Sequence, residues 1–221
     1  QTVMRGITEP PTESVLRGPR EGFIEDIKAN TTLIRRKIKS EKLVITNMSV
    51  GEQTHTSVAV CYIDGIADKT IISTVKERIS KIKTDGILDS YYIEQYLCEN
   101  KYSLFTQVGS SEKPDVVAAK LLEGRIAIIV DGSPSVLTVP FLLFEAMQDA
   151  YDYYSNDWRA SLIRIFRIIG MLLTIFLPAA YVAFETFHFH LLPLKFLITL
   201  LNATNGIPFP PQIEILLVLL L

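Results

Sequence analysis

The 221-residue chain carries 22 Lys/Arg against 24 Asp/Glu, a formal net charge of −2, and so near a balance leaves no field strong enough to make nucleic acid its main partner. The average hides a division, because beyond Arg167 only Glu185, Lys195 and Glu214 are charged. The first part is made to meet water and the last to avoid it.

Residues 1–21 hold an imperfect repeat, Val3-Met4-Arg5-Gly6 and Val15-Leu16-Arg17-Gly18, on either side of Pro10-Pro11. Proline and glycine at this density predict a connector, read as a linker from a preceding subdomain. Over 22–39, Phe23, Ile27, Ile34 and Ile38 recur at helical spacing, with Arg35, Arg36, Lys37 and Lys39 crowding the last turns; this predicts an amphipathic helix with a basic end. Strands are expected over 43–48 and 58–63, the second almost wholly apolar and stopped by Asp64-Gly65. A continuous apolar strand of this kind suits a sheet covered on both faces.

Ile71, Ile72, Val75, Ile79 and Ile82 predict a helix over 69–83, and a further helix is expected over 89–99 with Asp89 as its cap. Ser110 or Ser111 is placed to cap a helix running through Pro114 to Glu123, which Gly124 stops. Residues 125–130 repeat the buried-strand pattern and end in Asp131-Gly132. Strands separated by helices define the expected fold class, a compact α/β domain, here over 22–157. Its last part, from Phe141 through Met147 to Tyr154, patterns as an amphipathic helix, packed on the domain or lying along a membrane surface.

Residues 168–184 contain no formal charge, and a first transmembrane helix is expected over 158–190 with flanking residues completing the span. Trp158, Arg159, Arg164 and Arg167 precede the apolar stretch as candidate interfacial anchors to membrane lipid, and Pro178 near its middle should bend the helix or free a carbonyl. Only Lys195 follows within the next stretch, so the positive-inside rule assigns the α/β domain to the cytoplasm. Residues 191–211, broken by Pro193, Pro208, Pro210 and Pro211, are expected as an outside loop with a short surface helix, and 212–221 as the start of a returning span. Both ends of the chain read as cuts within a longer protein: Gln1 opens no signal peptide, and the apolar run 213–221 has about half the length a span needs.

The motifs that announce an enzyme are absent: no phosphate loop, no H-E-x-x-H helix and no G-x-S-x-G elbow. Ser133 and Ser135 fit turn chemistry better than nucleophile chemistry, and His188 and His190, at i and i+2, face apart on a helix, so no metal site or cofactor is expected. Cys61 and Cys98 form neither a C-x-x-C pair nor a disulfide framework and read as buried, reduced core thiols. The basic run from Arg35 to Lys42 reads as a solvated or interdomain face. Glu214 differs from these, because an acid in an apolar run entering a bilayer usually faces a bundle interior or an aqueous path. Glu214 and Pro178 are therefore the candidate ion-path or gating residues.

Leu16-Arg17-Gly18-Pro19-Arg20-Glu21-Gly22-Phe23, Asn30-Thr31-Thr32-Leu33-Ile34-Arg35-Arg36, Tyr91-Tyr92-Ile93-Glu94, Leu122-Glu123-Gly124-Arg125, Asp152-Tyr153-Tyr154 and Pro208-Phe209-Pro210 with Glu214 form a series of words spread over the whole chain. In these the sequence resembles the GerA-type spore germination A-subunit family. The resemblance implies a nonenzymatic, multi-pass protein of the spore inner membrane, of which this chain holds the second cytoplasmic α/β subdomain and the first spans. It also implies a transporter-like B subunit that binds nutrient, a lipoprotein C subunit, and a homo-oligomer that forms or gates an ion path. The alternative is a related sporulation membrane protein acting as an accessory channel or transporter without nutrient sensing of its own.

Overall fold

The computed structural model describes residues 6, 10, 13, 18–100, 103, 105–142, 145, 157–186, 195, 198, 199, 202, 213 and 216. Glu214, His188, His190, most of the linker repeat and most of the amphipathic helix expected from Phe141 to Tyr154 (all but Phe141, Leu142 and Glu145) lie outside the described residues. The chain divides into two units, Gln1–Asn156 and Asp157–Leu221.

In the first unit the elements run α1 (Ile27–Lys37), β1 (Leu43–Val50), β2 (Thr56–Ile63), α2 (Lys69–Ser80), α3 (Ser90–Leu97), β3 (Gly109–Ser111), α4 (Pro114–Leu122), β4 (Ile126–Val130) and β5 (Val136–Val139). The sheet has the order β1-β2-β4-β5-β3, and each neighbouring pair is antiparallel. Alternation along the strands divides the core. Val58, Val60, Ile126, Ile128 and Val130 face Ile72, Val75 and Ile79 of α2 and Ile93 and Leu97 of α3. Ala59, Cys61, Ile63, Ala127 and Ile129 face Leu33 and Ile34 of α1 and Val117 and Leu121 of α4. Helices thus cover both faces of the α/β sheet, which is why β2 and β4 carry almost no polar residue.

Several boundaries differ from the sequence expectation. The first helix begins at Ile27 and not at Gly22, because Asp26 caps it by accepting the Lys28 amide while Asp131, from the β4–β5 turn, accepts the Ile27 amide at 3.2 Å. Phe23 and Ile24 are buried ahead of the helix in an extended segment gripped by Asn30, whose side chain both accepts the Ile24 amide and donates to the Ile24 carbonyl. Neither Ser110 nor Ser111 occupies the cap position of α4: both lie in β3 and Lys113 stands there instead, with the Ser111 hydroxyl accepting the Lys113 amide. Asp89 holds the cap position of α3 but makes no capping bond; its carboxylate accepts the Ser133 hydroxyl across the sheet end. Cys61 is buried as expected, whereas Cys98 is only half-buried.

The second unit contains α5 (Asp157–Thr186), a helix of 30 residues. Its stretch Trp158–Ala183 is long and apolar enough to cross a membrane.

Candidate functional site

Beyond β5 the chain leaves the sheet through Phe141, whose amide donates to the Gln107 carbonyl at 3.4 Å. The Phe141 ring lies over Gly109 of β3, where only glycine fits. A Cβ at that position would stand 2.7 Å from both Phe141 Cδ2 and Thr138 Oγ1. Lys120, in the last turn of α4, approaches from the same side, with Nζ 5.7 Å from the Phe141 ring centroid and 3.2 Å from Thr138 Oγ1.

Four residues after Phe141, Glu145 turns back onto this corner. One carboxylate oxygen is 2.7 Å from the Arg125 guanidinium and the other 3.4 Å from Lys120 Nζ. The three side chains are 7, 10 and 14 % exposed for Glu145, Lys120 and Arg125, so water screens the cluster little. Lys120 and Arg125 flank Gly124, whose φ of +92° ends the helix and turns the chain into β4. One tight corner therefore presents two cations to one carboxylate. Desolvation offsets much of the attraction in such a cluster, but removal of the carboxylate would leave two buried cations facing each other. The cluster is a strong positional lock on residues 141–145 whatever its net contribution to stability.

On the other side of Phe141 lies an open groove of about 460 Å³, walled by Thr70, Thr74 and Arg78 of α2, by Leu97 and Glu99, and by Gln107 and Phe141. Its volume is within the range of small-ligand sites. Arg78 is fixed by donating to the Leu97 carbonyl at 2.5 Å and to Glu99 at 2.7 Å, and the Gln107 side chain accepts the Glu99 amide at 2.7 Å. Contact with this groove and restraint by the buried cluster therefore converge on the same few residues, just beyond the last strand of the sheet.

Among the other titratable groups, burial pushes the Cys61 thiol up to about 12, which keeps it protonated and unreactive. Burial also disfavours the Asp89 carboxylate, yet hydrogen bonds led by that of Ser133 hold it below its ordinary value. This contact gives Ser133 a structural use as a brace for the β4–β5 turn. No group of His, Cys, Asp and Glu among the described residues has metal-binding geometry.

Along α5, Trp158 is 77 % exposed, Arg159 is exposed, and Arg164 and Arg167 are half-buried. These four lie within the first three turns. Pro178 is about 16 Å further along at 1.5 Å per residue, inside a helix that continues through it. The sequence pattern does not single out Lys120, Arg125 or Glu145. Glu145 reads there as a polar position on an amphipathic helix, and nothing local ties it to a corner some twenty residues earlier.

A helix-covered antiparallel sheet, continued in sequence by a helix able to cross a bilayer, defines an α/β domain joined to a membrane segment. The chain belongs to the Bacillus/Clostridium GerA spore germination protein family, whose profile matches residues 1–221. It is 44 % identical over 213 residues to the uncharacterized membrane protein YfkQ of Bacillus subtilis (strain 168), covering 96 % of this chain and 42 % of that protein. To spore germination protein A1 of the same organism it is 42 % identical over 213 residues, covering 96 % of this chain and 44 % of the relative. The chain thus spans about two-fifths of the length of these relatives. Among solved structures, it is similar to the crystal structure of the N-terminal domain of the A subunit of the Bacillus megaterium spore germinant receptor GerK3. That match has 41 % identity and a TM-score of 0.45, covering 55 % of this chain and 97 % of that one.

Proposed function

We propose that the protein is a nonenzymatic membrane subunit of a spore germinant receptor, in which the α/β domain on the cytoplasmic side couples nutrient sensing by partner subunits to ion release. The partners are a transporter-like B subunit and a lipoprotein C subunit, and the protein assembles with further copies of itself around or beside an ion path in the spore inner membrane. The observation that supports this most directly is the convergence on residues 141–145. A contact made in the groove bears on Phe141, the buried Lys120–Arg125–Glu145 cluster fixes the chain four residues later, and α5 begins at Asp157, a dozen residues beyond Glu145. The family membership and the spore germination relatives supply the biological setting.

A second reading, an accessory sporulation membrane protein that moves small solutes without sensing nutrients, is favoured by the 44 % identity to YfkQ, whose name carries no germinant role. Cation release from spores deleted for this gene separates the two. Loss of release to one class of nutrient, restored by the intact gene, supports the receptor. Release slowed equally for every nutrient supports the accessory protein.

A further inference from the structure

The two helical layers of the first unit expose surfaces of opposite character. On α3 the buried Ser90, Ile93 and Leu97 leave Tyr91, Tyr92, Gln95 and Tyr96 on the outward side, and the three tyrosines are 59, 46 and 43 % exposed. From Thr84 to Asn100 the chain has four acids, Asp85, Asp89, Glu94 and Glu99, and no Lys or Arg. Arg78 pairs with Glu99 and Ser133 donates to Asp89, whereas Asp85 and Glu94 have no ion pair among the described residues. Burial raises the Glu94 carboxyl above its ordinary value, so this acid is partly desolvated with no cation to compensate it.

At the C-terminal end of α1, in the layer on the other side of the sheet, residues 35–42 hold five cations and one acid. Glu21 engages Arg36 and Lys37. Arg35, Lys39 and Lys42 are exposed and have no ion pair among the described residues. The sheet stands between these cations and the tyrosine and acid face of the same chain.

We infer that the α/β domains of neighbouring copies meet head to tail, with the Arg35, Lys39 and Lys42 end of α1 in one copy seated on the α3 face of the next. The inference rests on the reading of this protein as one that assembles with further copies, and it adds the surfaces that meet. Tyrosine and arginine are the residue types that dominate interface energetics, and a cation over a tyrosine ring gains a further attraction. A cation beside Glu94 supplies the compensation that the single chain lacks. Two unlike surfaces on opposite layers leave one of each kind free at the ends of any row of copies, so the contact repeats and closes as a ring where the rotation allows. An anionic bilayer surface, by contrast, repels the acidic α3 face.

The test oxidises spore membranes containing the full-length protein with copper phenanthroline. Ser40→Cys lies among the cations and Gln95→Cys on the crown of α3, both at exposed positions, so neither removes a residue that makes the contact. The double variant should give a ladder of dimers, trimers and larger species, with each single variant reporting any link through other thiols. Lys28→Cys, exposed at the opposite end of α1, should link to Gln95→Cys about fivefold less, and Arg35→Glu with Lys39→Glu should weaken the Ser40–Gln95 link by about the same factor. A product that stops at the dimer overturns the head-to-tail geometry, and a link from Gln95→Cys to a protein of different mass gives the α3 face to another subunit and overturns the inference. Equal linking from Lys28→Cys, or no link from any pair, overturns it as well. Co-purification of two differently tagged copies reports assembly by itself: copies that co-purify without linking overturn these surfaces alone, and copies that do not co-purify overturn the assembly too.

Discussion

Asp115 lies in the first turn of α4, where the helix dipole favours a negative charge, yet burial, the largest influence on it, raises its carboxyl above the ordinary aspartate value. The folded chain therefore holds this proton more tightly than the unfolded chain does. The corresponding stability is fully present below the unfolded pKa and is lost as pH rises through the folded one. Asp115→Asn is expected to raise Tm by about 2 °C at pH 7 and to leave it unchanged below a pH of about 3, as read by thermal unfolding at the two pH values. The two thiols offer a second check at this scale. Cys98, half-buried at the end of α3, should react with a water-soluble maleimide in the native protein, whereas Cys61, buried with its thiol pushed up to about 12, should react only on unfolding.

Among the elements, those legible in the sequence have strong periodicity or an uninterrupted apolar run. β2 and β4 announce themselves because both their faces are covered, and α2 because Ile72, Val75 and Ile79 recur on one side. β3 and β5 do not. Gly109, Ser110 and Ser111 have no strand propensity and form β3 only because Val136, Leu137 and Thr138 supply the partner register, and a strand of four residues between Pro134 and Pro140 gives too short a pattern to read. The beginning of α1 departs from expectation for a related reason, since Phe23 continues the helical spacing but is buried from an extended segment held by Asn30. The buried cluster is illegible because it is a tertiary pairing. Gly109 makes one consequence testable: Gly109→Ala should displace Phe141 and lower stability by about 1–3 kcal/mol, measured by denaturant unfolding of the detergent-solubilised protein. The Phe141→Leu change in that background should recover part of the loss.

For the whole molecule, the proposed function requires that an event at the α/β domain reach the membrane. Glu145 is the residue through which the exit segment is held, and its truncation to Ala leaves two buried cations uncompensated, a change expected to destabilise the domain by about 3 kcal/mol. Glu214 is the candidate ion-path acid that the sequence offers. Glu214→Gln should alter the kinetics of cation release while leaving protein level and assembly unchanged, and unaltered kinetics would remove it from the path.

Nutrient-triggered cation release from spores carrying Glu145→Gln, compared with wild type at matched amounts of the protein in the spore membrane, tests the coupling most directly. Release is expected to be delayed or lost although the partner subunits are present and nutrient is supplied. Release with wild-type timing and extent would contradict the coupling, because the lock on residues 141–145 would then have no part in transmitting the signal.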